Sequence, residues 1–240
     1  MSYTLINPGG AYLGGDRFEI DLHLEPGSSL NLGTQSATKI YRTPQGPAVQ
    51  NTRIYLGEGA VLENLPDPVI VYREGSYVQS TLVEIEPSAM YIAAENLTPG
   101  WSPDARHFAF NKLHMRTEIR MQGRPLVVDN LRLVPSRGTS GLGIMEGFSH
   151  SGSLMVVAPE LFSGDAREEQ AYAQIFEVLS TVTSSLEAAV RCGISKIEGG
   201  FVLRSLAHSS EVIDLIHQEI MASARDIVGV SRVIFRGQGL

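Results

Sequence analysis

Leu24-Glu25-Pro26-Gly27-Ser28-Ser29-Leu30 returns as Leu56-Gly57-Glu58-Gly59-Ala60-Val61-Leu62 and again as Ile85-Glu86-Pro87-Ser88-Ala89-Met90-Tyr91. Each copy is a tight turn between two apolar-ended segments. The copies lie roughly 30 residues apart, a period at which repeated units stack into a layered or solenoid-like β body. Upstream of the first turn, Phe18, Ile20, Leu22 and Leu24 alternate with Glu19, Asp21 and His23, the period of a strand buried on one face. The unit therefore reads strand, turn, strand. A fourth pair, residues 113–121 and 125–133 about Gln122-Gly123, follows the pattern less faithfully. Connectors rich in Pro, Gly and Asn at 43–47, 64–68 and 96–104 separate the units. Pro66-Asp67-Pro68 cannot continue a central strand, because two ring nitrogens have no proton for the ladder.

Beyond Ser153 the pattern changes. Residues 154–158 read as a short strand. Asp165 opens a helix on which Ala171, Ile175, Val178, Leu179, Val182, Leu186 and Val190 recur at helical spacing, with Gly193 as its end. A hairpin about Gly199-Gly200 follows, then a second helix capped by Ser209 or Ser210, with Val212, Ile213, Ile216 and Ile220 on one face. Residues 230–235 read as a closing strand. The expected fold is mainly β (α+β), a stacked strand-turn-strand body over 1–150 and a βαββαβ portion over 151–240 that carries both helices. The pattern leaves open whether the second portion is a separate domain or packs on the first.

With 240 residues and 43% hydrophobic content, the chain can bury a sizeable core. A net charge of −7 argues against a nucleic-acid binder, which needs clustered Lys and Arg to neutralise phosphates. No run reaches the length of a membrane span and no signal-peptide pattern opens the chain, so the expected location is cytoplasmic. The single cysteine, Cys192, allows neither an intrachain disulfide nor a cysteine-based zinc site. Six histidines are scattered without helical metal-ligand spacing. Phe148-Ser149-His150-Ser151 lacks the strand-turn-helix setting of a nucleophile, and the glycine runs at 9–15 and 138–143 lack the features of a phosphate loop. No catalytic residue is expected.

The informative side chains are acids. Asp16 follows Gly14-Gly15, Glu95 ends an apolar strand, and Asp129 interrupts Leu126-Val127-Val128 and Asn130-Leu131. Such an acid, buried and unpaired, costs on the order of several kcal/mol, so it must meet a cation, a donor or water. Pairing with Lys39, Arg42 or Arg132 and lining a functional channel are both open at this point.

Asn7-Pro8-Gly9-Gly10, Gly14-Gly15-Asp16, Thr34-Gln35-Ser36-Ala37-Thr38-Lys39-Ile40-Tyr41-Arg42, Leu62-Glu63-Asn64-Leu65-Pro66-Asp67-Pro68 and Phe108-Ala109-Phe110 occur in that order. In this series the chain resembles the urease accessory protein UreD family, called UreH in some organisms. The likeness runs from Ile6 to about Leu133, weakens through Gly147-Phe148-Ser149-His150 and is only a pattern afterwards. The resemblance implies a β-rich scaffold with two helices and no turnover of its own. It implies as partners the accessory protein UreF, the GTPase UreG and the urease apoprotein, into which the assembly loads nickel. Nickel is then a transient cargo rather than a tightly bound cofactor, and it passes through a polar tunnel. On that resemblance Asp16, Glu95 and Asp129 fall where carboxylates or related polar groups are expected, with Thr38 and Lys39 beside the first of them. Carboxylate oxygens hold nickel weakly, whereas a Cys/His cage would trap it. The resemblance further implies several strands ahead of Asn-Pro-Gly-Gly, where this chain has only a few residues; its start is either naturally short or truncated, and a body missing edge strands would leave a sheet edge open. The competing expectation is a β-solenoid ligand-binding or structural module with no metal role.

Overall fold

A computed structural model of the chain describes residues 1–139, 143–186 and 189–229. The expected strand at 230–235 and the middle of the glycine loop at 138–143 lie outside the described residues.

After an edge strand β1 (Ser2–Leu5), the chain winds through successive coils. The first comprises β2 (Arg17–Leu24), β3 (Ser29–Thr34) and β4 (Thr38–Ile40). The second comprises β5 (Ala48–Leu56), β6 (Val61–Leu65) and β7 (Val69–Val71). The third contributes β8 (Ser76–Ile85) and β9 (Met90–Leu97). A fourth begins with β10 (Lys112–Met121) and folds back as β11 (Arg124–Leu133). Corresponding strands of successive coils pair in parallel, so the repeated turns of the sequence are stacked in space. Leu24 lies opposite Leu56 and Leu56 opposite Ile85, while on the far side of the turn Leu30 meets Leu62 and Leu62 meets Tyr91. The turns also bond to one another: the Gly57 N–H donates to the Leu24 carbonyl at 2.9 Å and the Glu86 N–H to that of Leu56 at 3.0 Å. Gly27 and Gly59 take φ of +71° and +65°, which glycine adopts at no steric cost.

The remaining elements extend one sheet. They are β12 (His150–Val157), α1 (Ala166–Ser184), β13 (Val190–Ile197), β14 (Gly200–Ala207) and α2 (Ser210–Val228). The first sheet runs β1-β3-β6-β9-β12-β14-β13, with β4 and β7 beside it, and the second runs β11-β10-β8-β5-β2. The strands of the 151–240 portion thus join the β body through antiparallel pairing of β12 with β9. Both helices cover the outer face of the first sheet, so β9 is buried on two sides. Met90, Ile92 and Ala94 pack toward the helices, and Tyr91 and Ala93 into the coil interior. That double burial is why β9 reads as a continuous apolar run.

Asp165 caps α1 by accepting from the Arg167 and Glu168 N–H groups, and Ser209 caps α2 by accepting from Val212. Gly229, at φ +72°, ends α2. The first helix is shorter than its apolar period suggests. It stops at Ser184, and Val190 opens β13 opposite Ala207. Hydroxyls of Thr181, Thr183 and Ser184 bond back to carbonyls three or four residues earlier, an alternative to the helical ladder that loosens the last turn.

Candidate functional site

Inside the coils, two apolar layers are separated by a polar belt. One layer holds Leu56, Leu62, Ile85 and Tyr91, and the other Ile40, Val71, Tyr77 and Leu113. Between them the parallel register lines up side chains across the second sheet. Phe18, Gln50, Gln79 and Met115 form one row, and Ile20, Thr52, Thr81, Thr117 and Asp129 the next. On the facing sheet, Glu95, Ser153 and Arg204 form a row across β9, β12 and β14.

The first row, Ile20, Thr52 and Thr81 of the second, and Glu95 line a cavity of about 280 Å³. Its mouth, at the first coil, is lined by Asn7, Ser36, Thr38, Lys39 and Asp67, and its inner part by Gln50, Thr52, Asn64, Gln79, Thr81 and Glu95. Beyond Glu95 lies a smaller void of about 20 Å³, bordered by Asp129, Ser153 and Arg204. That is room for about one water molecule. Glu95 belongs to both linings, so it stands where the two spaces meet.

Hydrogen bonds fix the belt. The Tyr12 hydroxyl donates to Gln50 Oε1 at 2.8 Å, and that of Tyr77 is shared between Gln50 Oε1 at 3.1 Å and Gln79 Oε1 at 3.2 Å. With its oxygen so engaged, Gln79 turns its amide Nε2 to donate to Glu95 Oε1 at 2.8 Å. Glu95 is half-buried because it faces the cavity, yet protein surrounds it. Burial, reinforced by Asp129, pushes its pKa up from 4.5 to about 7, against the opposing pull of Gln79 and Arg204. Arg204 donates to Asp129 in a short ion pair that joins the two sheets.

Of the acids singled out in the sequence, the structure brings Glu95 and Asp129 together. Asp16 lies elsewhere: it takes the Leu13 N–H on Oδ2 at 2.8 Å and holds the Gly14-Gly15 turn, outside the cavity lining. Thr38 and Lys39 stand on β4 at the mouth. The cations weighed as partners for these acids are placed differently. Arg42 pairs with Glu74 at 2.6 Å, and Asp129 takes Arg204 instead. The side chains that sequence reasoning missed are Gln50, Thr52, Gln79, Thr81, Thr117 and Arg204. A signal for four of them existed, since Gln50-x-Thr52 and Gln79-x-Thr81 recur in phase with the turns. Ser149 is buried, with Oγ 2.8 Å from Nδ1 of its neighbour His150. Among the described residues, no three His, Cys, Asp or Glu side chains converge as metal ligands.

Fold and site together define a β-solenoid protein with two flanking helices and an interior cavity of mixed apolar and polar lining. The family model described as "UreD urease accessory protein" matches residues 1–236. A urease accessory protein UreD from Arthrobacter sp. (strain FB24) is 44% identical, over 89% of this chain and 72% of its own length. Those of Actinomyces naeslundii and Kocuria rhizophila are 42% and 38% identical, each over 94% of this chain and over 80% and 75% of their own lengths. The chain belongs to the UreD family of urease accessory proteins.

Proposed function

We propose that this chain is a urease-maturation scaffold that passes nickel through its interior to apo-urease, within an assembly that includes UreF and the GTPase UreG. The observation that carries the reading is the polar belt. A solenoid interior fills with apolar side chains by default, and each buried hydroxyl or amide costs free energy unless it is bonded. Here two amides, two threonines and a carboxylate, Gln50, Gln79, Thr52, Thr81 and Glu95, border open space and are aligned from coil to coil.

The chemistry suits a cargo more than a resident ion. Threonine hydroxyls and one carboxylate replace nickel's water ligands one at a time without the affinity of imidazole or thiolate. Glu95 supplies the negative charge midway, and its proton leaves as the dication arrives, so uptake is coupled to proton release. Asp129 stands next along the path. Thr38 and Lys39 at the mouth meet the cargo first. Asp16, expected from sequence on the same path, instead holds the Gly14-Gly15 turn outside the cavity lining. No described helix is long and apolar enough to cross a membrane.

The test is co-expression with urease and its other accessory genes, comparing the parent chain with Glu95→Gln. The expected outcome is an intact complex with UreF and UreG but urease activation reduced severalfold. Undiminished activation by a folded Glu95→Gln variant would leave the solenoid as a structural module with no metal path through Glu95.

A further inference from the structure

We propose that Arg204 is a cationic latch: seated on Asp129, its guanidinium closes the passage beyond Glu95 to a divalent cation, and the passage opens when Arg204 leaves Asp129. The proposal rests on the passage read above and adds a residue that governs when cargo leaves and by what charge it is selected.

Three features of the structure carry it. First, the register places Glu95, Ser153 and Arg204 on one face of three adjacent strands, with Ser153 between the carboxylate and the guanidinium. Asp129 ends the threonine row of the opposite sheet. The Arg204–Asp129 pair therefore spans the gap between the sheets at the far end of both rows. Second, the void it closes, about 20 Å³, has no room for a hydrated metal ion. Third, the partners differ in freedom. The Arg204 side chain is 55% exposed and that of Asp129 13%, so the arginine can swing into solvent while the aspartate stays in the wall. A half-exposed ion pair is held by little net free energy, which a latch requires.

The geometry also makes the latch charge-selective. At Glu95 the charge of Asp129 outweighs that of Arg204, but at Ser153, the strand neighbour of Arg204, an arriving cation stands beside the guanidinium itself, whereas a neutral solute meets only steric closure. When Arg204 moves out, Asp129 is exposed to the path as a fresh carboxylate, so one motion removes the barrier and supplies the next ligand.

The test places a single thiol behind the latch by Ser153→Cys in a Cys192→Ser chain, where no other cysteine competes. The rates of modification by a trimethylammonium-ethyl and a sulfonatoethyl thiosulfonate are compared. Arg204→Gln is expected to raise the cationic-to-anionic rate ratio about tenfold or more. Arg204→Lys, which keeps the charge, is expected to hold the ratio within about threefold of the parent. An unchanged ratio in a folded Arg204→Gln chain, or an equal rise in Arg204→Lys, overturns the latch. This readout involves no nickel and no urease. It is independent of the Glu95→Gln activation assay, so the latch and the nickel path fail separately.

Discussion

Arg225 of α2 grips Glu63 of β6 through two hydrogen bonds, Nε to Oε1 at 2.5 Å and Nη2 to Oε2 at 2.9 Å, across 162 residues of sequence. The side chains are 9% and 3% exposed, and Asn31 Nδ2 completes the site by donating to Glu63 Oε2 at 2.7 Å. The pair ties the last described helix to the second coil. Arg225→Ala leaves a carboxylate buried without its cation, a change that costs about 3–5 kcal/mol. The expected result is a marked fall in the denaturation midpoint. Glu63→Leu combined with Arg225→Leu should recover part of that loss, because the desolvation cost of both charges disappears while the buried Asn31 amide loses its acceptor. A chemical-denaturation double-mutant cycle checks this, and equal destabilisation by the single and double variants would refute it.

Glu95 makes the protein's behaviour depend on pH near neutrality. Its pKa stands at about 7 in the folded chain against an ordinary 4.5, so folding favours the protonated form. The stability this brings is fully present below about pH 4.5 and is lost as pH rises through 7. Glu95→Gln, which cannot ionise, should flatten the stability profile across that window and be more stable than the parent at pH 8. Nickel uptake should follow the opposite course, strengthening as pH rises through 7 and releasing a proton. Calorimetry in two buffers of different ionisation enthalpy reads that proton. Uptake that ignores pH between 6 and 8 would remove Glu95 from the path.

The threonine row offers a test of whether the passage must be wet. Thr52, Thr81 and Thr117 stand in register on adjacent strands. Thr81→Val keeps the shape but removes a hydroxyl that could replace one of the cargo's waters. Thr81→Phe adds bulk to the cavity wall. Urease activation should fall modestly with valine and nearly vanish with phenylalanine, while complex formation persists in both. Activation equal to the parent's in a folded Thr81→Phe chain would route the cargo elsewhere.

These features differ in how far the sequence foretells them, and the difference follows from contact range. The stacking of Leu24, Leu56 and Ile85 is written as a period, because each coil repeats its own local turn. Glu95 announces itself as an acid closing an apolar strand. Its surroundings do not, because Gln79 reaches it across the solenoid interior, and Arg204 acts on it only once β14 pairs with β12 and β12 with β9. That antiparallel order has no local signature. Asp129 similarly finds its partner 75 residues away, whereas the cations weighed from the sequence, Lys39, Arg42 and Arg132, were not its choice. The end of α1 departs from the apolar period for a local reason. Val190 falls on the helical period by coincidence, and pairing with Ala207 outweighs one more turn of helix.

At His217, α2 lies against the first sheet with no spare room. A Cβ added to Gly152 would come within 2.4 Å of Ile213 Cγ2, 2.7 Å of Ser205 Oγ and 3.0 Å of His217 Cε1. Glycine at this point lets helix and sheet approach closely, so Gly152→Ala should destabilise by about 1–3 kcal/mol. The same closeness leaves His217 2% exposed, with neither ring nitrogen bonded among the described residues. Burial pulls its pKa down from 6.5 to about 4. Its neutral form is therefore the one that folds. Because the unfolded chain binds this proton more readily, stability is whole above pH 6.5 and drains as pH falls toward 4. His217→Phe should remove that part of the acid sensitivity, and thermal melts at pH 7.5 and 4.5 measure it. If the two chains lose equal stability between those pH values, His217 carries no proton on unfolding.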